Sequence, residues 1–549
     1  MRRTCFAVSL ACAAVVGVQA ALGATIRGSA RADTLNGTSA ADSIHGNGGN
    51  DRIAGRAGAD FLVGGDGRDT IEGGAGADRI GVHLDGARDI VRCGQGLDIV
   101  IADRLDRVAA DCEVLSLQLS RDTTIDGQSQ HETQVEPDSF AFGSTIVTLF
   151  QSGRNEGGGA AAHGWATSTD AGVTWRSGLL PGLVSETTPS GPFDAVSDPV
   201  IAYDAAHRVW LASSLAVAAN DVQLTINRST DGLAWERPVI AAADPAEAYD
   251  KQWLTCDNGR ASRFRGHCYL AYYDVDANRI ALRRSTDGGR TWSPAVPTPA
   301  DGQLGNSVNG AYPIVRPDGS LVVAFTISSL FAATDMNEIA VVRSGDGGLT
   351  FTGPIRLGRF PEDTFTGVRA PPLVTGDVDA RGRVYVAWSD CRFRDDCTGT
   401  DIVLARSEDG ASWAAPVRVA AGDVVSDIDH FLPGLAVDPT SSGATARLAL
   451  VLHTLPEPEG CALGDCPGVD VRFIRSSDGG RTWGRPQTLS VERIPISWLA
   501  NTGVGRMLGD YVSTSWVAGR PVPVFSLAVA PVGGRYRQAI FAAVRIGPP

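Results

Sequence analysis

The chain has 549 residues, of which 43% are hydrophobic and 20% are charged, with 65 glycines and a formal net charge of -14. This composition predicts a soluble, turn-rich all-β protein rather than a helical or a disordered one. The negative charge argues against nucleic acid as a partner and favours a cation-binding region.

The N-terminus has the pattern of a cleaved secretory signal. A basic start precedes an apolar run from Cys5 to Val18, and small residues follow near Ala24. The run is shorter than the ~20 residues that span a bilayer. We therefore predict a signal peptide over residues 1–24 and a secreted, extracellular protein with no transmembrane segment. A membrane anchor is the alternative interpretation, and association with the cell surface is left open.

Eight cysteines remain once the signal is removed, in four pairs that are close in sequence: Cys93/Cys112, Cys256/Cys268, Cys391/Cys397 and Cys461/Cys466. An even number of cysteines in an exported chain predicts disulfides. The alternative is a zinc site, but no pair has a second pair or histidines at zinc spacing. We predict that each pair is bonded locally.

A nine-residue period governs residues 25–115. Aspartates follow this spacing and resume after a two-residue slip, at Asp33, Asp42, Asp51, Asp60, Asp69, Asp78, Asp89 and Asp98. An apolar residue lies two positions after each aspartate, and glycines precede it. Glycines allow turns that leave carbonyls exposed, and aspartate adds a carboxylate, so stacked turns offer a hard cation a cage of oxygen atoms. A flexible Gly/Asp-rich linker is the alternative interpretation.

The nonapeptide GGxGxDxUx resembles the calcium-binding repeats of the haemolysin-type (RTX) family. This implies a calcium-dependent parallel β-roll with Ca²⁺ as its cofactor, and we predict these metal ligands: Asp42, Asp51, Asp60, Asp69, Asp78 and Asp98. If two nonapeptides form one coil, Asp51 stacks over Asp69 on one side of the roll. Because carboxylates without a cation repel one another, we expect chelation to unfold residues 28–101 and to leave the remaining chain intact.

Residues 116–549 contain a second, longer repeat. The motif S-x-D-x-G-x-T-W recurs in six copies, two of them one residue short, at 168–175, 229–235, 285–292, 344–351, 407–413 and 476–483. Their aspartates are 61, 56, 59, 63 and 69 residues apart. Short alternating strands precede each motif. Four antiparallel strands per period predict a blade, and blades around an axis make a β-propeller.

These motifs resemble the Asp-boxes (bacterial neuraminidase repeats) of sialidase-like propellers. Counting strand openings gives seven blades, the last completed by Leu115 to Leu119, whereas the sialidase resemblance implies six; we favour seven. The box lies in the turn between the third and fourth strands of a blade. Its serine, aspartate and glycine can stabilise that turn, so we interpret all six copies as structural.

The functional face is therefore expected at the opposite end. A polar ring precedes the first strands there: Glu136, Asp198, Asp250, Lys251, Asn309, Arg369, Asp429, His430, Arg506, Asp510 and Tyr511. The resemblance to sialidases implies arginines that hold a sugar carboxylate, an acid/base and a tyrosine nucleophile. Candidate catalytic residues are Arg154, Arg369, Arg392, Arg506, Asp510 and Tyr511. However, the FRIP-type motif of sialidases is missing before the first box, and Arg392 could instead pair with Asp390.

Three functions remain open. A propeller that binds an extracellular glycan or sialoside without catalysis is preferred, because it explains the architecture and the missing motif. An active glycoside hydrolase of exo-alpha-sialidase type is the alternative. A structural or adhesive surface protein is the third. We expect a monomer.

Overall fold

The computed structural model describes residues 23–547 except 83–84, 220, 303–305, 330–335, 362–366, 420, 423–427 and 457–467. Residues 1–22 of the predicted signal peptide and the Cys461/Cys466 pair lie outside the described residues. The described residues are all-β, and their helices are three 3-10 turns, Asp395–Cys397, Gly443–Thr445 and Ile496–Trp498. None of the helices in these ranges is long and apolar enough to cross a membrane.

The first part of the chain is a parallel β-solenoid. Its strands are β1 (Thr25–Arg27), β2 (Thr34–Asn36), β3 (Ser43–Gly48), β4 (Arg52–Ala57), β5 (Phe61–Asp66), β6 (Thr70–Ala75), β7 (Arg79–Val82), β8 (Ile90–Gln95), β9 (Ile99–Ala102), β10 (Arg107–Val108) and β11 (Val114–Gln118). Odd-numbered strands pair in parallel in one sheet, and even-numbered strands in another. Ile44 lies opposite Leu62 and Ile53 opposite Ile71, so one coil holds two nonapeptides and the predicted roll is confirmed.

The solenoid has a narrow apolar interior with aspartates stacked along it. The predicted apolar residues of the repeats, such as Leu62 and Ile71, are fully buried. The backbone N–H of Asp51 donates to Oδ1 of Asp69 at 2.8 Å, and the same bond recurs from coil to coil. The aspartates therefore stack in the predicted register, and a disulfide between Cys93 and Cys112 closes the last coil.

The second part consists of antiparallel sheets of four strands. Sheet 1 is β12 (Gln130–Phe142), β13 (Thr145–Arg154), β14 (Ala160–Ser168) and β15 (Arg176–Leu179). Sheet 2 is β16 (Ala195–Asp204), β17 (Val209–Ala218), β18 (Asp221–Ser229) and β19 (Val239–Ala242). Sheet 3 is β20 (Tyr249–Cys256), β21 (Cys268–Asp274), β22 (Arg279–Ser285) and β23 (Val296–Asp301).

The remaining sheets repeat this pattern. Sheet 4 is β24 (Asn306–Val315), β25 (Leu321–Ser329), β26 (Met336–Ser344) and β27 (Thr352–Pro361). Sheet 5 is β28 (Thr375–Val378), β29 (Val384–Asp390), β30 (Asp401–Ser407) and β31 (Val417–Arg418). Sheet 6 is β32 (Ile428–Val437), β33 (Leu448–Pro456), β34 (Asp470–Ser476) and β35 (Gln487–Thr488). A hairpin, β36 (Ala500–Thr502) and β37 (Gly505–Met507), precedes sheet 7, which is β38 (Ser513–Val517), β39 (Arg520–Ala528), β40 (Gln538–Arg545) and β11.

The first strands of these sheets lie side by side. Each of β12, β16, β20, β24, β28 and β32 contacts the first strand of the next sheet, and β38 contacts both β32 and β12. The contacts therefore run in a closed circle around one axis. Apolar clusters between successive sheets fill the space behind these strands.

All six Asp-box motifs lie in the turn between the third and fourth strands of their sheets. In the copy at 285–292, Oδ1 of Asp287 accepts the backbone N–H groups of Arg290 and Thr291 at 3.0 Å. The hydroxyl of Ser285 accepts the N–H of Gly289 at 2.9 Å, and Gly288 and Gly289 have φ of 72° and 78°. The side chains of the motif thus satisfy the backbone of their own turn.

Candidate functional site

A β-bulge interrupts the first strand in five of the sheets, at equivalent positions. The register shifts between Val135 and Asp138, Ser197 and Val200, Asp250 and Trp253, Asn309 and Tyr312, and Phe431 and Gly434. Three of the bulges hold a charged residue in the left-handed conformation, namely Glu136 (φ 54°), Asp198 (φ 53°) and Lys251 (φ 47°). Bulges re-aim side chains, and strained non-glycine residues concentrate at functional positions. An unfavourable backbone conformation at these three positions thus brings their side chains together.

A buried group of charged residues occupies the axis where the first strands meet. We call it the axial cluster, and it comprises Glu136, Asp198, Asp250, Lys251, Arg369 and Asp510. Nζ of Lys251 lies 2.5 Å from Oδ2 of Asp510, 3.2 Å from Oδ1 of Asp198 and 3.9 Å from Oε1 of Glu136. One ammonium group therefore joins carboxylates from sheets 1 and 2 and from the segment that leads into sheet 7. An ammonium group can reach three separate acceptors in this way. The planar guanidinium group of arginine cannot be directed at three carboxylates around it.

Arg369 and Asp510 form a bidentate pair within this cluster. Nε and Nη2 of Arg369 each lie 2.5 Å from an oxygen of Asp510. The backbone N–H of Arg369 donates to the carbonyl of Arg506 at 2.8 Å, which fixes the segment before sheet 5 against the hairpin β36–β37. Burial opposes ionisation of Asp510, but Lys251 and Arg369 hold its pKa well below the ordinary value. These two cations therefore favour the ionised form of Asp510.

Other carboxylates of the cluster behave in the opposite way. Burial raises the pKa of Glu136 to about 8; Asp510 and Asp198 reinforce the shift, and Lys251 opposes it. Gln151 donates through Nε2 to Oε2 of Glu136. Burial and the neighbouring Asp198 raise the pKa of Asp250 to about 6. Burial thus favours the neutral form of Glu136, whereas Lys251 and Arg369 favour the ionised form of Asp510.

An aromatic wall borders the axial cluster. The rings of Trp253 and Tyr312 are 4.6 Å apart at 33°, and those of Trp253 and Tyr511 are 5.0 Å apart at 80°. These three residues, with Asp198 and Lys251, line one pocket. Trp253 and Tyr312 are partly exposed. We call this space the axial pocket: one side of it is aromatic and the other is charged.

The candidate catalytic residues proposed from the sequence do not all converge. Arg369 and Asp510 belong to the axial cluster. Arg154 lies beside it, with Nη1 donating to the carbonyl of Gly159 at 2.5 Å; burial lowers its pKa, and Arg369 adds to that effect. The hydroxyl of Tyr511 is buried and donates to the carbonyl of Pro199 at 3.1 Å. A nucleophilic role for Tyr511 would require this bond to break.

Two predicted arginines have partners elsewhere. Nη1 of Arg506 donates to the carbonyl of Leu499 at 3.0 Å and to the hydroxyl of Tyr536 at 2.7 Å. Arg392 pairs with Asp390 at 2.7 Å, as the alternative interpretation of the sequence held, and lies 5.3 Å over the ring of Trp388. Asp429 and His430 of the polar ring adjoin Thr400 instead. Among the described residues, the axis thus does not hold three arginines that are free to bind a sugar carboxylate.

Sequence reasoning missed the importance of Lys251, although one signal was present. It is the only lysine in the chain, whose other basic residues are 47 arginines. A chain that uses arginine everywhere else and lysine once at a bulge has a local requirement for a compact ammonium group. The aromatic wall had a weaker signal, since Trp253 stands where other sheets open with proline.

The solenoid aspartates fit a hard cation. Oδ2 of six of them is buried without a hydrogen-bond partner, in Asp51, Asp60, Asp69, Asp78, Asp89 and Asp98. A Cβ atom placed on Gly46 would lie 2.3 Å from Oδ2 of Asp51 and 2.2 Å from the carbonyl oxygen of Gly64, so carboxylate and carbonyl oxygens face one gap. Burial raises the pKa of Asp69 and of Asp78 to about 6. Calcium prefers such oxygen ligands.

Two details qualify the predicted ligand set. The carboxylate of Asp42 accepts backbone N–H groups from Ala24 and Thr38, both at 2.5 Å. Among the described residues, no three His, Cys, Asp or Glu side chains form a group that could hold a metal ion.

Several solved structures are similar to the chain over much of its length. They include an ulvan lyase of polysaccharide lyase family PL25 (10% identity, 76% of this chain and 96% of that one, TM-score 0.45). A Hadza microbial sialidase has 16% identity over 75% of this chain and 66% of its own, with a TM-score of 0.38. An alpha-L-arabinanase from Penicillium chrysogenum has 15% identity over 64% and 93%, with a TM-score of 0.39. These partial likenesses assign neither a fold nor an activity.

A search of the curated proteins found no match. The family model of the RTX calcium-binding nonapeptide repeat, in contrast, matches residues 27–62 and 55–81. This match agrees with the register of the solenoid and with its unpartnered aspartate oxygens. The N-terminal part of the chain therefore consists of RTX calcium-binding repeats.

Proposed function

We propose that the protein is secreted, binds calcium through residues 25–115 and binds an extracellular glycan at the axial pocket of residues 116–549. The observation that carries the glycan proposal is the partly exposed ring of Trp253 next to Lys251 and Asp198. Sugars present C–H faces that stack on aromatic rings and hydroxyls that bond to charged groups, so a pocket with one side of each kind suits them.

The architecture proposed for the second part is a seven-bladed β-propeller. Its support is the closed circle of contacts among first strands and the pairing of β11 with β40, which completes the last sheet. Propellers bind ligands where the inner strands meet at one end of the axis. The axial pocket has this location, and the Asp-box turns are at the other ends of their strands.

Calcium is proposed to lie between successive coils of the solenoid. Asp51, Asp60, Asp69, Asp78 and Asp98 would supply the free Oδ2 atoms, and the preceding glycines would supply carbonyls, with Asp42 at the less regular first coil. Bound calcium would neutralise carboxylates that are otherwise buried and mutually repulsive.

Secretion is supported by three disulfides, Cys93–Cys112, Cys256–Cys268 and Cys391–Cys397, each joining a pair predicted from the sequence. Such bonds form and persist in oxidising surroundings. The signal-like N-terminus agrees with this proposal.

The proposed ligand is an uncharged sugar rather than a sialic acid. A sugar carboxylate is best held by free guanidinium groups. Here Arg369 is already engaged by both oxygens of Asp510, and Lys251 is shared by three carboxylates. Recognition of an acidic sugar would have to break these buried pairs.

Hydrolysis of a glycoside is a second candidate function, for one specific reason. Glu136 and Asp510 lie in the same cluster, and their surroundings push their pKa values in opposite directions. A protonated carboxyl group beside an ionised one is the arrangement that acid/base hydrolysis requires. In that case Glu136 would donate the proton to the leaving oxygen.

A glycan array followed by calorimetric titration would test the binding proposal, with the secreted full-length protein in calcium-containing buffer. We expect binding to neutral glycans that is weakened about tenfold in Trp253→Ala and kept in Asp287→Asn, an Asp-box control. In parallel, fluorogenic neutral glycosides and a fluorogenic α-sialoside would test turnover.

The outcomes separate the candidates. Turnover that Glu136→Gln abolishes would establish a glycosidase, and turnover of the sialoside that Arg369→Ala or Tyr511→Phe abolishes would establish the sialidase type. Binding without turnover would support the proposal. Absence of both would leave a structural or adhesive protein.

A further inference from the structure

Strand β11 belongs to both parts of the molecule. On one edge it pairs in parallel with β9 of the solenoid, with Val114 opposite Ile99. On the other edge it pairs in an antiparallel manner with β40 of sheet 7, with Gln118 opposite Phe541. The solenoid sheet therefore continues directly into the last sheet of the ring, and the strand that completes that sheet is also the last strand of the solenoid.

Side chains reinforce this junction. Nη1 of Arg545, on β40, donates to the carbonyls of Ala109 at 2.8 Å and Cys112 at 2.7 Å. The hydroxyl of Ser116 donates to the carbonyl of Leu489, directly after β35 of sheet 6, at 3.0 Å. Leu119, just after β11, is buried in the apolar cluster between sheets 1 and 7. The junction is thus packed and hydrogen-bonded, unlike a flexible linker between independent domains.

The position of β11 depends on the last solenoid coil. The backbone N–H of Asp98 donates to Oε2 of Glu113 at 2.9 Å, directly before β11. The N–H of Gly94 donates to Oδ2 of Asp111 at 3.1 Å. Asp98 itself has a buried, unpartnered Oδ2. The coil that holds β11 is therefore one of those in which a buried carboxylate oxygen is available to bind a cation.

A second chain of contacts leads from sheet 7 to the axial cluster. Gln538, at the start of β40, donates through Nε2 to the carbonyl of Met507 at 2.9 Å and accepts the N–H of Ala500 at 2.8 Å. Sδ of Met507 accepts Nε of Arg154 at 3.2 Å. Met507 is three residues before Asp510, so β40 holds the segment that delivers this carboxylate to Lys251.

We infer that calcium binding by the solenoid controls closure of the ring of sheets, with β11 as the coupling element and the axial pocket as the site affected. With calcium bound, the last coil fixes β11, β11 completes sheet 7, and β40 holds the segment that carries Asp510. Without calcium, repulsion among the carboxylates opens the coils, β40 loses its partner strand, and the axial cluster loosens. This inference rests on the calcium part of the proposed function. It differs from the expectation from sequence alone, in which chelation leaves the second part intact.

The single lysine provides a direct probe of this coupling. Lys251 is the only lysine and its side chain is 11% exposed, so an amine-reactive acetylating reagent reports on the axial cluster and, separately, on the N-terminus. We expect acetylation of Lys251 to be slow in calcium and to accelerate by about tenfold or more with a chelator, as local opening exposes it. Hydrogen exchange, measured on the same samples, reports on the solenoid, on β39 and β40, and on β25 and β26 of sheet 4 as a remote reference.

The outcomes distinguish the coupling from calcium binding itself. Chelation should speed exchange in the solenoid and in β39–β40 but not in β25 and β26. Opened coils with unchanged β39–β40 exchange and unchanged Lys251 acetylation would overturn the coupling and leave the calcium proposal standing. Coils that do not respond to calcium would overturn both.

A matched pair of variants sharpens the test. Arg545→Ala removes the two bonds from β40 to the solenoid without touching a calcium ligand, and it should give faster exchange in β39–β40 even in calcium. Asp287→Asn changes an Asp-box far from the junction in sequence and should behave as wild type. If Arg545→Ala does not fold, the calcium dependence of wild-type Lys251 acetylation decides the matter alone.

Discussion

Replacing Lys251 by methionine tests whether the axial cluster holds the ring together. The ammonium group lies 2.5 Å from Asp510 and 3.2 Å from Asp198, and its side chain is only 11% exposed, so water compensates poorly for its loss. Removing one partner of a buried ion pair costs about 3–5 kcal/mol. Asp510 keeps its bidentate bond to Arg369, which places the expected loss in Lys251→Met near the lower limit, about 3 kcal/mol.

The loss should depend on pH with a defined sign. Lys251 now opposes the rise in the pKa of Glu136, so its removal raises that pKa further. A carboxyl group whose folded-state pKa exceeds its unfolded value favours the fold at low pH and disfavours it as pH rises through that window. Lys251→Met should therefore be less destabilised at pH 5 than at pH 8. Urea denaturation followed by tryptophan fluorescence, in calcium, measures both values.

Two further variants serve as controls. Lys251→Arg keeps the charge but cannot direct a planar group at three carboxylates, so we expect it to lose stability as well. The double variant Lys251→Met/Asp198→Asn removes a charge of each sign and should regain part of the loss, because the uncompensated carboxylate is gone. If the free energy of unfolding of Lys251→Met is within about 0.5 kcal/mol of the wild-type value at both pH values, the axial cluster contributes no more to stability than a surface ion pair does.

Three shorter predictions concern other parts of the site and the fold. Glu136→Gln should flatten the pH dependence of stability between about 4.5 and 8, because ionisation of Glu136 in that range now opposes folding, and denaturation across pH would show it. Trp253→Ala should weaken glycan binding about tenfold, the equivalent of about 1.4 kcal/mol, with the ion pairs unchanged; equal affinity in a titration would remove the aromatic wall from the site. Asp287→Ala should cost about 1 kcal/mol in denaturation through lost turn hydrogen bonds, with glycan affinity unaffected.

The solenoid could be predicted from sequence almost in full, because its contacts follow directly from a short period. A nine-residue repeat with two repeats per coil places Asp51 against Asp69, and the structure has that pairing. The three disulfides of the described residues could also be predicted, since each joins cysteines that are close in sequence. The role of β11 was only half predicted: it completes the last sheet, but its other edge remains in the solenoid. A sequence pattern does not indicate that one strand pairs with strands of two different parts of the chain.

The axial cluster could not be predicted from the sequence, because closure of the ring of sheets sets the distances between its residues. Lys251 and Asp510 are 259 positions apart, and the sequence identified both only as members of a polar ring. Arg506 and Asp510 are four residues apart and were treated alike, yet only Asp510 reaches the axis. Arg506 lies on β37 of the hairpin β36–β37, which directs its side chain to Leu499 and Tyr536, whereas Asp510 follows the hairpin. The different positions of Arg506 and Asp510 depend on one local turn, for which the sequence has no periodic signal.

The pairing of charges at the axis also limits what the pocket can recognise. The cluster has four carboxylates and two cations, and Arg154 lies beside it; burial raises the pKa of Glu136 and so reduces the negative charge that these cations face. The cations of this network are already paired with carboxylates, and a ligand that displaced Asp510 from Arg369 would break a buried bidentate ion pair. Favourable binding energy must then come from stacking on Trp253 and from hydroxyl groups that bond to the outer atoms of Lys251 and Asp198 without separating them. A neutral sugar meets both conditions, whereas a sialic acid meets them only if the ion pairs that fix the segment before sheet 7 are first broken.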